Sequence, residues 1–143
     1  MPLHGEILAC NGLPTSMLGR IDPYVLTKVL SKSGEVKGES RTATKKNAGG
    51  SPVFGDADAR ALNFAGVKGG SYVQFTVYDK DKVNDDYLGQ VTFPVDAIPG
   101  KPTEYVLSLG FGRKTVTAGK KTPNGTITVR LSAKHHDKLC GVW

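Results

Sequence analysis

Four aspartates fall within eight positions, at Asp79, Asp81, Asp85 and Asp86, in a chain whose formal net charge is +6. Crowded carboxylates repel one another, and a bound cation is the natural way to neutralise them. Hard cations such as calcium take roughly six to eight oxygen ligands, mostly carboxylates and backbone carbonyls, from flexible loops. Asp79 and Asp81, two residues apart, can point the same way from an extended loop, and either Asp85 or Asp86 can close the ring. A fifth aspartate stands in Arg20-Ile21-Asp22-Pro23-Tyr24-Val25. Both segments lie at the end of a predicted strand, so they can converge at one end of a layered fold. The competing reading is that aspartates are common in turns, where they bond their own backbone.

The elements that must position these residues are strands. Val73, Phe75 and Val77 share one face of Tyr72–Tyr78, and Ile127, Val129 and Leu131 oppose Thr126, Thr128 and Arg130. That is a period of two. Similar runs predict strands over Glu6–Asn11, Tyr24–Leu30, Gly38–Thr44, Arg60–Gly66, Ser71–Tyr78, Leu88–Val95, Thr103–Leu109 and Gly125–Ala133. Breaks separate them at Gly12-Leu13-Pro14, Ser33-Gly34, Gly49-Gly50-Ser51-Pro52, Lys68-Gly69-Gly70, Pro99-Gly100 and Pro123-Asn124-Gly125. No sustained helical period and no internal repeat is present. Eight such strands predict an all-β, eight-stranded antiparallel β-sandwich.

Charge and loop tips suggest the partners. Lys28, Lys32, Lys37, Arg41, Lys45 and Lys46 face only Glu35 and Glu39 in the same stretch. Alternation puts Lys37, Arg41 and Lys45 on one face of the predicted strand. Such a face attracts anionic partners, though it can equally be a solvated face on which lysines guard against aggregation. Met17 and Leu18 lie in the first aspartate loop and Val83 in the other. Apolar residues in polar loops suggest a surface that enters a lipid headgroup layer. Leu18 can alternatively fold back over the end of the sandwich.

Several classes are set aside. The 143 residues suit a single domain. No apolar run approaches the roughly 20 residues of a membrane-spanning helix, and the N-terminus lacks the apolar core of a secretory signal. Cys10 and Cys140 read as reduced thiols, in keeping with a cytoplasmic protein. Gly112–Lys114 with Gly119–Thr122 imitates a phosphate loop, but Lys121 replaces the required hydroxyl and no helix follows. His135, His136 and Cys140 read as a polar tail rather than a zinc site, and Asn124-Gly125-Thr126 as a hairpin rather than a glycosylation acceptor. Asp56 and Asp58 read as loop solvation. No nucleophile accompanies a base, and His4 is isolated, so no enzyme is expected.

The order Asp22-Pro23-Tyr24-Val25, Ser51-Pro52-Val53-Phe54, Tyr78-Asp79-Lys80-Asp81 and Asp86-Tyr87-Leu88-Gly89 resembles a C2 domain across nearly the whole chain. The layout is most similar to small single-C2 plant proteins of the elicitor-responsive and phloem-protein type. A strand ending in Gly12-Leu13 runs straight into the first loop, which implies the permuted, type II strand order. The resemblance implies a C2 domain over residues 1–134 with a short polar tail over 135–143.

It further implies Ca2+ as cofactor, held by Asp22, Asp79, Asp81 and Asp86, or by Asp85 in place of Asp86, because this loop is one residue shorter than in many relatives. The backbone carbonyls of Thr15 and Lys80 would add ligands. Ser16 stands where calcium-binding members carry an aspartate, so one well-held ion and a weaker second are expected. Met17 and Val83 match membrane-inserting positions. Lys28, Lys37, Arg41 and Lys45 would form a phosphoinositide or anionic-lipid groove. The resulting expectation is a monomeric, non-enzymatic module, recruited from the cytoplasm to the anionic phospholipid of the plasma membrane when calcium rises, in signalling, trafficking or plant defence. The competing expectation is a calcium-independent adaptor that binds a protein or RNA through the basic face, although no aromatic platform for stacked bases accompanies it.

Overall fold

The computed structural model describes residues 1–15, 20–110 and 125–135. Among these, eight strands are formed: β1 (Leu3–Asn11), β2 (Pro23–Leu30), β3 (Val36–Arg41), β4 (Ala61–Phe64), β5 (Tyr72–Asp79), β6 (Asp86–Pro94), β7 (Thr103–Ser108) and β8 (Thr126–Ala133). They make two antiparallel four-stranded sheets, ordered β4-β1-β8-β7 and β3-β2-β5-β6.

The period of two read from the sequence decides which side chains fill the space between the sheets. Val25, Thr27 and Val29 of β2 stand beside Val77, Phe75 and Val73 of β5, and all six are at most 2% exposed. From the other sheet Leu3, Ile7, Ile127, Val129 and Leu131 close the core. Each aliphatic side chain buried this way contributes about 1.5–3 kcal/mol. In β1 the spacing of inward residues changes from Ile7 to Cys10, because the register with β8 slips between Ile7 and Ala9. A bulge of this kind carries one extra residue and resets which face is buried. Cys10 ends up in the core, where burial pushes its thiol up to about 12, so it is a poor nucleophile.

Several strand bounds differ from the sequence expectation: β1 starts at Leu3 rather than Glu6, β6 starts at Asp86 rather than Leu88, and β3 and β4 are both redrawn. β3 begins earlier and ends at Arg41, because the N–H of Thr42 turns back to the carbonyl of Val25 and the Thr42 hydroxyl accepts the N–H of Val25. β4 is cut to Ala61–Phe64, preceded by a 3-10 turn at Asp56–Asp58. In that turn Asp58 accepts the N–H of Gly55 at 2.7 Å, and Asp56 pairs with Arg60 at 2.8 Å. Asp56 and Asp58 are therefore anchors of the turn, a correction to their reading as loop solvation.

Strand directions sort the connections. The segments 12–22, 42–60 and 80–85 lie at the end where β2 begins and β5 finishes. The segments 31–35, 65–71 and 95–102 lie at the opposite end.

Candidate functional site

Asp22 immediately precedes β2 and Asp79 is the last residue of β5; Pro23 and Asp79 are direct neighbours in that ladder. The two loops are tied together by backbone. The N–H of Asp22 donates to Asp79 Oδ1 at 2.8 Å, and the N–H of Lys80 donates to the Asp22 carbonyl at 2.9 Å. Asp22 Oδ1 in turn accepts the N–H of Asn47 at 2.7 Å, and Asn47 takes a left-handed φ of 52°. Three connections thus meet around one aspartate. Asp86 opens β6 directly opposite Asp79 and is exposed, so two like charges face each other across the ladder.

Asp81 and Asp85 shape their own loop. The N–H of Lys82 donates to Asp81 Oδ1 at 2.6 Å, and the N–H of Asp81 donates to Asp85 Oδ1 at 3.0 Å. Asp85 Oδ2 accepts a 2.5 Å hydrogen bond from the Tyr24 hydroxyl, and Lys80 Nζ lies 3.7 Å from Oδ1. The Asp81 N–H, then the Tyr24 hydroxyl, hold the Asp85 carboxyl below its ordinary range. Burial of the Tyr24 ring, reinforced by Asp85, pushes the phenol up to about 12. Arg41 stacks on the same ring: its guanidinium lies 3.7 Å from the Tyr24 ring centroid, joining the basic strand to the acidic loop.

The donors fit a hard divalent cation in kind, since all are carboxylates or backbone carbonyls. In arrangement they are not gathered: among the described residues, no group of three or more aspartate, glutamate, histidine or cysteine side chains is placed to hold a metal. Asp22 and Asp79 are adjacent, Asp81 and Asp86 flank them, and Asp85 is engaged by Tyr24. Asp22 and Asp81, with Thr44, Lys46, Lys80 and Lys82, line an open depression of about 500 Å³. Thr15 precedes the first loop tip. Ser16, Met17 and Leu18 lie outside the described residues, as do Gly112–Thr122, Asn124, His136 and Cys140. His135 directs Nε2 at the Ile98 carbonyl.

Val83 is 85% exposed at the tip of the second loop, among Asp81, Lys82 and Asn84. Some cations of the expected basic face have acidic neighbours. Lys37 pairs with Glu35 at 3.1 Å, and Lys28 stands opposite Glu39 across β2–β3. Lys45 lies past the end of β3 and reaches Asp58 at 3.0 Å, so it does not continue the row of Lys37 and Arg41. The Gly55 N–H, together with that pairing, holds the Asp58 carboxyl below its ordinary range.

Sequence reasoning missed the tyrosines. Tyr24 and Tyr78 stack at 5.5 Å, and Tyr87 meets Tyr78 edge-on at 6.2 Å. A signal was present: Tyr78 and Tyr87 each adjoin an aspartate, and Tyr24 lies two residues from one. On a strand, such tyrosines sit beside the loop carboxylates.

Two four-stranded sheets, with aspartate-bearing loops crowded at one end, define a β-sandwich module that presents its charged groups on loops rather than in a cleft. The chain matches the C2 domain family over residues 2–109, and it belongs to that family. Its first strand leads into the loop before Asp22 and its last lies between β1 and β7, the type II order. FT-interacting protein 4 of Arabidopsis thaliana is 32% identical over 122 residues, covering 78% of this chain and 14% of that protein. This chain therefore spans a small part of that relative's length. A C2 domain of plant Extended Synaptotagmin 1 superposes with a TM-score of 0.71 at 22% identity, over 92% of both chains. A calcium-bound structure of two successive C2 domains of Extended Synaptotagmin 2 gives 0.64 at 17% identity, over 92% of this chain and 44% of that one.

Proposed function

We propose that this chain is a non-enzymatic C2 module that docks on anionic phospholipid in response to calcium. The observation that carries this reading is the meeting of Asp22 and Asp79 at one end of the sandwich, with exposed Val83 at the tip of the neighbouring loop. Asp22, Asp79, Asp81 and Asp86 would hold the ion, with Asp85 kept for the loop by Tyr24. A bound Ca2+ would supply positive charge and open coordination positions for lipid phosphate oxygens. The backbone hydrogen bonds to Asp22, Asp79 and Asp81 orient these carboxylates, so docking needs no rearrangement of the sheets. Val83 adds apolar area to the contact, and Arg41, Lys28 and Lys37 add screened attraction worth about 1 kcal/mol per cation near an anionic surface.

The test is sedimentation with phosphatidylserine-containing liposomes, in calcium and in chelator, at physiological salt. Binding in calcium alone, lost in an Asp79→Asn/Asp81→Asn variant that still folds, is the expected result. Equal binding in both conditions would refute the calcium switch and move the interaction to Arg41, Lys28 and Lys37. Absence of binding in either would overturn the membrane reading in favour of a protein or RNA partner.

A further inference from the structure

At the end of the sandwich away from the aspartate loops, a recess opens beside residues 29–37 and 63–71. Val29 of β2, Phe64 of β4 and Val67 form the apolar floor of this recess of about 420 Å³. Val29 and Val67 are buried, and Ser71 beside them is 4% exposed. Lys37 and Lys68 stand on its walls. A second depression of about 500 Å³ shares Ser31, Lys37, Lys68 and Ser71 with the first and adds Lys32, Ser33 and Glu35. The two adjoin along these shared residues and are treated together as a groove.

The groove is built by close approaches. A Cβ on Gly38 would lie 3.0 Å from the Phe64 ring, so the absence of a side chain there lets the ring rest on β3. A Cβ on Gly70, which has a φ of +82°, would lie 3.3 Å from the stem of Lys32. The lysine of the β2–β3 turn is thereby laid against the loop that carries Lys68. The N–H of Val67 fixes the far side of that loop by donating to the Met1 carbonyl at 2.9 Å.

Charge points to the occupant. Three lysines face one glutamate, which pairs with Lys37 at 3.1 Å. Asp96, the other nearby carboxylate, is turned onto the N–H of Gly70. Neither Lys32 nor Lys68 has a carboxylate partner among the described residues. Two unpaired ammonium groups over an apolar floor suit a small molecule with an anionic end and an apolar body, and the volume falls in the range of small-ligand sites. Ammonium groups beside serine hydroxyls favour phosphate as the anion. The recessed floor favours a soluble molecule over a flat bilayer surface.

We propose that this groove is a second binding site, independent of the aspartate loops, for a soluble phosphomonoester with a small apolar body. The probe is phenyl phosphate, followed by amide NMR on the full chain in chelator, with inorganic phosphate and phenol for comparison. Saturable shifts at residues 31–37 and 63–71 are expected, weaker with inorganic phosphate and absent with phenol. Lys32→Gln/Lys68→Gln should weaken phenyl phosphate roughly tenfold or more, the loss expected from charge-assisted hydrogen bonds, while the melting temperature stays put because neither lysine has an ion pair to lose. Shifts that persist undiminished in the double variant, that phenol reproduces, or that are missing would each overturn the proposal. So would lysine-dependent binding to phosphatidic acid vesicles without any response to phenyl phosphate, which would give the groove to a lipid headgroup.

Discussion

Replacing Asp86 by asparagine should change the sign of its effect on stability when calcium is added. Asp86 faces Asp79 directly across β5–β6, with side chains about 5 Å apart in such a pair. Like charges so placed are destabilising by about 0.2–1 kcal/mol. Asp86 is exposed and takes part in no described side-chain hydrogen bond, so asparagine removes repulsion without breaking a contact. Asp79→Asn is a poorer choice, because Asp79 also accepts the N–H of Asp22. In chelator, Asp86→Asn is therefore expected to melt higher, by roughly 1–4 °C for a domain of this size. Calcium at a hundred times its dissociation constant should stabilise the parent by about 2.7 kcal/mol. If the loss of one carboxylate weakens the ion tenfold, the variant keeps only about 1.4 kcal/mol of this. The variant then falls below the parent by roughly 0.3–1.1 kcal/mol. Paired melts of both proteins, in chelator and in saturating calcium, read this crossing. A variant that melts lower in chelator and keeps the full calcium increment would refute both the repulsion argument and the role of Asp86.

Val83→Asp should leave the stability within about 0.5 kcal/mol of the parent, since the side chain is 85% exposed, yet weaken calcium-dependent liposome binding tenfold or more. Unchanged sedimentation would remove Val83 from the contact. For Tyr24, raised from 10 to about 12, the stabilisation is complete below pH 10 and is lost as pH climbs toward 12. Absorbance at alkaline pH should show one late-ionising tyrosine, missing in Tyr24→Phe; an unchanged curve would contradict the Tyr24–Asp85 bond. Asp85, lowered, has the opposite sense: its stabilisation holds above the ordinary carboxylate range and is lost as pH falls through and below it. Tyr24→Phe should therefore also make the protein less sensitive to acid, read by melts from neutral pH downward.

The strands were legible because strand periodicity is local. Val73, Phe75 and Val77, or Ile127, Val129 and Leu131, announce one buried face whatever lies across from it, and all are fully buried. Glycine and proline breaks placed the turns for the same reason. Convergence of the Asp22 and Asp79 loops was expected as well, because both lie at ends of predicted strands; the pairing of β2 with β5 brings it about.

What the tertiary structure alone decided is how side chains far apart in the chain divide their partners. Spacing gave no sign that Asp85 accepts a hydrogen bond from Tyr24, 61 residues away, while Asp86 stays exposed on β6. Lys45 looked like one more cation on a strand face until Asp58 drew it off that line. The buried face of β1 changes parity at a bulge that no local pattern marks. The groove between Lys32 and Lys68 arises only where a turn of one sheet lies against a loop leaving the other. Periodicity is set by neighbouring residues, whereas charge pairing and recess shape depend on register and sheet packing, which emerge only when the whole chain has folded.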